Sequence, residues 1–141
     1  MAPKVLFALL AKISVQPERI LAKRILLADD QQGVREAIRF LLLVDQHTVV
    51  EAANGREALE AFQHQPFDLV ITDYAMPVMT GSELARKIKA LAPHQPILMI
   101  TAYAADMGDT ENPVDALLNK PFSFDELRHA IVRLLATGCV V

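Results

Sequence analysis

The stretch Asp68-Leu69-Val70-Ile71-Thr72-Asp73-Tyr74-Ala75-Met76-Pro77 decides the fold of this chain. Its consecutive apolar residues at 69–71 show no alternation, which predicts a central strand of a parallel sheet, covered on both faces. The strand leads into Asp73, and Pro77 opens the loop that follows. In open α/β sheets, ligands bind outside the carboxyl ends of the strands. A carboxylate at that place is a nucleophile, a metal ligand or an ordinary loop-starting residue, and the stretch alone leaves all three open.

Four further apolar runs accompany this strand, and amphipathic segments separate them. The runs lie at 25–28, 48–50, 96–100 and 116–118. Leu84, Ile88 and Leu91 follow helical spacing and predict the buried stripe of the third helix. Helix starts are indicated by capping-box spacing in three pairs, Asn54 with Glu57, Thr80 with Glu83, and Ser123 with Glu126. Regular alternation predicts an α/β fold, a doubly wound five-stranded parallel sheet between two helical layers.

Length and composition limit the class of protein. The chain has 141 residues, 52% of them hydrophobic, which suits one domain with a packed core. The net charge of -3 argues against a surface that binds nucleic acid directly. Cys139 is the single cysteine, so an intrachain disulfide and a cysteine-based zinc site are excluded. We expect a cytoplasmic protein without a membrane segment.

Residues 1–23 differ from the rest and form a predicted N-terminal extension to a domain at 24–141. Their apolar run, 5–11, is far too short to span a membrane. Its apolar residues lie at helical spacing up to Pro17, which indicates an accessory amphipathic helix. A loose tail and a targeting segment are the alternatives.

Polar residues end four of the predicted strands. They are Asp29 and Asp30, Asp73, Thr101, and Lys120. Carboxyl ends of parallel strands share one sheet edge, so these side chains should converge there. Three carboxylates repel one another, and a hard divalent cation such as Mg2+ removes that repulsion. With a lysine and a hydroxyl nearby, the cluster predicts a phosphoryl site in which Asp73 is the nucleophile that becomes an acyl phosphate, Asp29 and Asp30 hold the metal, and Thr101 and Lys120 contact phosphoryl oxygens.

The same residues carry a resemblance to a known family. They are Asp29-Asp30, Asp73 with Met76-Pro77, Thr101-Ala102, and Lys120-Pro121-Phe122. From Arg24 to about Thr137 the chain resembles the response-regulator receiver domains of two-component signalling, which are CheY-like. The resemblance implies a flavodoxin-like three-layer sandwich with strand order 2-1-3-4-5. It also implies that Asp73 accepts phosphate from a phosphohistidine on a histidine kinase or a histidine phosphotransfer protein.

The resemblance further implies roles for single residues. Asp30, Asp73 and the backbone carbonyl of Ala75 would bind Mg2+ directly, and Asp29 would act through water. The Lys120-Pro121 peptide is expected to be cis, and a helix pair of the phosphodonor should dock over the first helix and the Phe122 loop.

Two features depart from the family pattern, the residue at position 117 and the short segment from Thr101 to Lys120. Leu117 stands where an aromatic residue is frequent, and Tyr103 could substitute for it. Gly108 and Pro113 predict a brief or irregular helix after the fourth strand.

We expect a signalling receiver, not an enzyme, that is a monomer or weak dimer and switches the binding of an unknown downstream partner. No output domain follows the last predicted helix, so the chain would be a stand-alone receiver, a phosphate relay or sink, or a piece of a larger protein. Two alternatives are a pseudo-receiver that is never phosphorylated and an aspartate-nucleophile phosphohydrolase. The phosphohydrolase would usually carry an acid-base aspartate where this chain has Ala75.

Overall fold

The computed structural model describes residues 22–102 and 113–138, with side chains up to residue 136. The expectations for residues 1–21, for Tyr103, for Cys139 and for the helix after the fourth strand lie outside these residues.

Five strands form one parallel sheet. They are β1 (Arg24–Ala28), β2 (Thr48–Ala52), β3 (Leu69–Asp73), β4 (Ile97–Thr101) and β5 (Ala116–Asn119). Their order is β2-β1-β3-β4-β5, and every neighbouring pair is parallel. The predicted doubly wound sheet and the order implied by the resemblance are both confirmed.

The register of the sheet brings the strand ends level with one another. Ala28 of β1 lies opposite Thr72 of β3, so Asp29 and Asp73 follow at the same height. Thr101 of β4 lies opposite Asn119 of β5, and Lys120 comes next. The residues that end four strands therefore meet at one edge.

Four helices are present in the described ranges. They are α1 (Gln32–Val44), α2 (Gly55–His64), α3 (Gly81–Leu91) and α4 (Phe124–Gly138). The predicted capping pairs are confirmed. Asn54 Oδ1 accepts from the Glu57 amide at 2.9 Å, and Thr80 Oγ1 accepts from the Glu83 amide at 3.2 Å. Before α4, Ser123 and Glu126 each accept the other's amide at 3.1 Å.

The helices form two layers on opposite faces of the sheet. Leu69 and Ile71 of β3 point to one face, where Leu42 of α1 and Ile131 of α4 cover them. Val70 points to the other face and packs with residues of α2 and α3. Because β3 is buried on both faces, it needs apolar residues at consecutive positions.

One prediction about the core is wrong. Leu84 and Ile88 are buried, but Leu91 is 57% exposed. Leu91 is the last residue of α3, and Ala85 completes the buried face instead. Helical spacing shows which residues share a face, but it does not show whether the sheet still lies beneath the last turn.

Candidate functional site

The acidic residues predicted to converge do so at the carboxyl edge of the sheet. Asp29, Asp30 and Asp73 each offer a carboxylate oxygen, and these oxygens lie within 4.8 Å of one another. Asp29 and Asp73 are buried, with 1% and 6% of their surfaces exposed, whereas Asp30 is exposed. The register of β1 and β3 produces this cluster, because it places Asp29 beside Asp73.

Lys120 and Thr101 complete the site from the neighbouring strands. Lys120 Nζ lies 3.2 Å from Asp73 Oδ1. The Lys120 amide donates to the Thr101 carbonyl at 2.9 Å, and Thr101 is buried at the end of β4. The Lys120-Pro121 peptide is cis, as expected. Ala75 is exposed, two residues beyond Asp73.

Burial dominates the electrostatics of the two enclosed carboxylates. It raises the pKa of Asp73, against the opposing effects of the charge and hydrogen bond of Lys120. Burial also raises the pKa of Asp29, and the negative charge of Asp73 adds to that rise, although the Gln31 amide partly offsets it. The ionised forms of both groups are therefore costly in the free protein.

The donor set fits a hard divalent cation. Three carboxylates in close proximity face a single lysine, so negative charge exceeds positive charge within the cluster. Oxygen ligands and this excess of negative charge are what Mg2+ favours. Asp30 is exposed, which leaves room for the water molecules that Mg2+ tends to retain.

Two glycines allow the loop after β3 to pack closely, a role that sequence reasoning assigned to neither of them. A Cβ added at Gly81 would overlap the Asp73 carbonyl oxygen and lie 3.0 Å from the carbonyl carbon. The Gly81 amide donates to the Tyr74 carbonyl at 2.8 Å, so α3 starts directly against the end of β3. A Cβ at Gly55 would come within 2.8 Å of Met79 in the same loop. Each glycine follows a predicted N-cap residue, and that position was the available signal.

The same loop contains a strained residue. Val78 has φ of 74° and is 74% exposed. A β-branched residue in this left-handed region is a true outlier, because its side chain crowds the backbone. No pattern in the sequence indicates this conformation.

Comparison with known proteins gives the family. Residues 25–132 match the model of the response regulator receiver domain. The chain belongs to this receiver-domain family. It is therefore a signal-transduction module of two-component systems.

Three similar proteins illustrate the family. The receiver domain is 39% identical over 116 residues to the response regulator receiver protein CpdR of Brucella abortus (strain 2308), covering 80% of this chain and 97% of the relative. The structure of TrrA from Thermotoga maritima in complex with Mg(2+)-BeF matches with a TM-score of 0.75 and 35% identity, covering 79% of this chain and 98% of TrrA. A structure of the histidine kinase ThkA in complex with TrrA matches with a TM-score of 0.74 and 36% identity, covering 80% of this chain and 98% of the matched chain.

An apolar groove opens beside the site of the receiver domain. It has a volume of about 620 Å³ and lies between α1 and the segment that leads into α4. Its lining residues are Gly33, Val34, Ala37, Ile38, Ala102, Lys120, Pro121, Phe122 and Phe124. Phe124 is 48% exposed, so part of this apolar surface faces solvent.

Across 22–102 and 113–138, none of the helices combines the length and the apolar character that crossing a membrane requires.

Proposed function

We propose that Asp73 of this receiver domain accepts a phosphoryl group from a phosphohistidine, in a reaction that depends on Mg2+. The donor would be a histidine kinase or a histidine phosphotransfer protein. The observation that carries the proposal is the arrangement around Asp73. Its buried carboxylate lies 3.2 Å from the ammonium group of Lys120 and within 4.8 Å of two further carboxylates.

Asp73 has the properties of a nucleophile for this transfer. An Asp73 oxygen would attack phosphorus while the bond between phosphorus and the histidine nitrogen breaks, and the electron pair of that bond returns to the imidazole. Phosphoryl transfer depends mainly on positioning and on neutralising charge, so an acid-base residue at Ala75 is not required. Lys120 stabilises the ionised carboxylate, which burial otherwise disfavours.

The acidic cluster would hold the metal. Asp30, Asp73 and the carbonyl of Ala75 would be direct ligands, and Asp29 would act through water. Bound Mg2+ supplies positive charge to the phosphoryl oxygens. Support comes from the proximity of the three carboxylates and from the relative TrrA, which is described in complex with Mg(2+)-BeF.

Lys120 and Thr101 would contact the transferred group. The phosphoryl group adds strong acceptor oxygens at Asp73. Thr101 would turn toward them and draw along the chain that follows β4, which shifts a two-state equilibrium of the domain. The altered surface then changes the binding of a partner protein.

The groove beside α1 suits the phosphodonor. It is apolar, it borders Lys120, and it runs along a helix, as docking of a helix pair requires. The complex of ThkA with TrrA supports a histidine kinase as the kind of partner. For the domain itself we propose residues 24–141, preceded by an extension at 1–23, since the family match begins at residue 25.

Phosphorylation by acetyl phosphate tests the acceptor. With Mg2+ present, the intact mass of the wild-type chain should rise by one phosphoryl group, and Asp73→Asn should show no gain. Asp68→Asn is the matched control, because Asp68 directly precedes β3 at the opposite edge of the sheet and its substitution should leave labelling unchanged. Equal labelling of Asp73→Asn and wild type would refute the assignment.

A second variant tests the cation beside the acceptor. Lys120→Ala should still bind Mg2+ through the carboxylates, but its labelling by acetyl phosphate should slow strongly. Normal labelling of this variant would show that Lys120 makes no important contact with the phosphoryl group.

A further inference from the structure

Arg35 connects the acidic turn to the edge of the sheet. Its Nη1 donates to the Asp29 carbonyl at 2.6 Å, and its Nε lies 3.1 Å from Glu51 Oε1 on β2. The other oxygen of Glu51 lies 3.2 Å from Arg39 Nε. The Arg35 side chain is only 17% exposed, whereas that of Arg39 is 48% exposed. Two arginines of α1 therefore share one glutamate, and Arg35 also bonds the Asp29 carbonyl in the acidic turn.

The bond from Arg35 acts on the peptide that joins Asp29 to Asp30. The Asp29 amide donates to the Ala52 carbonyl at 3.1 Å, and Asp29 Oδ1 accepts from the Gln31 amide at 2.9 Å. The carbonyl of Asp29 belongs to the planar peptide that leads into Asp30. Holding that carbonyl fixes the plane of the peptide, and with it the direction in which the chain presents Asp30. Arg35 supplies this contact from outside the turn, through a charge-assisted hydrogen bond.

The effect of Arg35 is geometric more than electrostatic. Glu51 pairs with the Arg35 guanidinium group, and the cation that lowers the pKa of Asp29 is Lys120. Removing Arg35 should therefore release the peptide without a large change in the charge felt by the carboxylates.

We propose that Arg35 is a positioning residue that orients the Asp29–Asp30 peptide for binding of a divalent cation. Glu51 holds the guanidinium group in place, and Arg39 is a bystander on the same glutamate. The proposal rests on the proposed function, since that function assigns Mg2+ to the acidic cluster.

Calorimetric titration of the full chain with Mg2+ tests the proposal, because it measures the Kd. Arg35→Met keeps most of the apolar stem and removes the donors, and it should raise the Kd for Mg2+ about tenfold, as loss of an outer-shell contact typically does. Arg39→Met is the matched control. It loses its bond to the same Glu51, and its Kd should stay within about twofold of wild type because an exposed ion pair contributes little.

NMR spectroscopy of the metal-free chain gives a second readout, which a loss of stability alone would not change. The carbonyl carbon resonance of Asp29 and the amide resonance of Asp30 should shift in Arg35→Met and stay in place in Arg39→Met. Arg35→Lys keeps a donor of positive charge, so it should recover part of the Mg2+ affinity and serves as the variant if Arg35→Met does not fold.

The outcomes distinguish the positioning role of Arg35 from the proposed function of Asp73. If wild type binds Mg2+ and is labelled on Asp73 while Arg35→Met has the wild-type Kd, only the positioning role is overturned. Equal losses of affinity in the Arg35 and Arg39 variants would also overturn it. If wild type binds no Mg2+, the proposed function and the role of Arg35 fall together.

Discussion

The two edges of the sheet treat charge in opposite ways. At the amino edge, Lys89 Nζ lies 2.8 Å from Asp115 Oδ2 and also donates to the Gln95 carbonyl at 2.7 Å. Asp115 Oδ2 in turn accepts from the Ile97 amide at 2.8 Å. At the carboxyl edge, three carboxylates cluster together, and one of them, Asp73, pairs with Lys120. The amino edge thus pairs opposite charges between elements. At the carboxyl edge like charges repel one another, and a bound cation would relieve this repulsion.

This contrast agrees with the place of the site that we propose. Pairing opposite charges stabilises the fold but leaves nothing for a ligand to neutralise. Crowding like charges lowers the stability of the free protein and makes a cation favourable, which is the common trade between stability and function. The carboxyl edge also contains the strained Val78 and the tight approach of Gly81 to Asp73.

The largest expected effect breaks the carboxyl edge by steric overlap. Gly81→Ala should lower the free energy of unfolding by about 3 kcal/mol, because the new Cβ meets backbone that cannot move aside. Labelling of Asp73 should be lost as well, since that backbone belongs to Asp73 itself. Chemical denaturation measures the first effect and intact mass the second.

Gly33→Ala is the matched control for this substitution. A Cβ at Gly33 meets nothing within 4 Å, and the residue lies inside α1. Gly33→Ala should raise the free energy of unfolding by up to about 1 kcal/mol, since alanine has a higher helix propensity than glycine. Similar effects of the two substitutions would contradict the close approach at Gly81.

Removing one carboxylate from each edge should have opposite results in the metal-free protein. Asp115→Ala should lower the free energy of unfolding by about 2 kcal/mol, because Lys89 and the Ile97 amide lose their acceptor. Asp30→Asn should raise it by about 0.5 kcal/mol, because an exposed like charge leaves the cluster. Denaturant titrations without divalent metal measure both, and destabilisation by both changes would remove the contrast between the edges.

The two edges should also respond oppositely to pH. Burial lowers the pKa of His47, at the amino edge, below its ordinary value of 6.5, and its Nδ1 accepts the Lys23 amide at 3.3 Å. The unfolded chain then binds this proton more readily, so His47 makes stability fall as the pH drops below about 6.5. Burial raises the pKa of Asp29 and Asp73 above 3.8, so these groups make the metal-free stability fall as the pH rises from about 4 through the raised values.

Variants separate the two slopes in denaturation experiments between about pH 4 and pH 8 without metal. His47→Gln should remove the decrease in the free energy of unfolding that occurs below about pH 6.5. Asp29→Asn should reduce the decrease in the free energy of unfolding that accompanies rising pH. A wild-type profile that neither substitution changes would show that these groups do not control the pH dependence.

Another small expected effect concerns backbone strain. Val78→Gly should raise the free energy of unfolding by about 0.5–1 kcal/mol, because glycine adopts the left-handed conformation without crowding. Gln46, with φ of 66° just after α1, is the control, and Gln46→Gly should gain less because glutamine is not β-branched. Thermal unfolding of both variants measures the difference, and a loss of stability in Val78→Gly would contradict the strain.

Local patterns explain why much of the fold could be predicted. The apolar run at 69–71 predicted β3 because a strand buried on both faces has few other solutions. The capping pairs predicted helix starts because they act within four residues. The convergence of Asp29, Asp73 and Lys120 followed from topology, since parallel strands carry their end residues to one edge.

Contacts between elements that are distant in sequence could not be predicted in the same way. The approach of Gly81 to Asp73 depends on how closely α3 meets β3, and the Arg35 bond depends on where α1 begins relative to the Asp29 carbonyl. The exposure of Leu91 depends on where the sheet ends beneath α3. These distances are set by packing, and no periodicity records them.

The response of stability to Mg2+ tests most directly whether the carboxyl edge carries repulsion that a cation relieves. In wild type, the free energy of unfolding should rise with Mg2+ concentration, by about 2.7 kcal/mol when the concentration is a hundred times the Kd. Asp115→Ala, altered at the amino edge, should gain as much as wild type, and Asp30→Asn should gain much less at the same concentrations. A wild-type stability that stays constant across the Mg2+ titration would contradict the account.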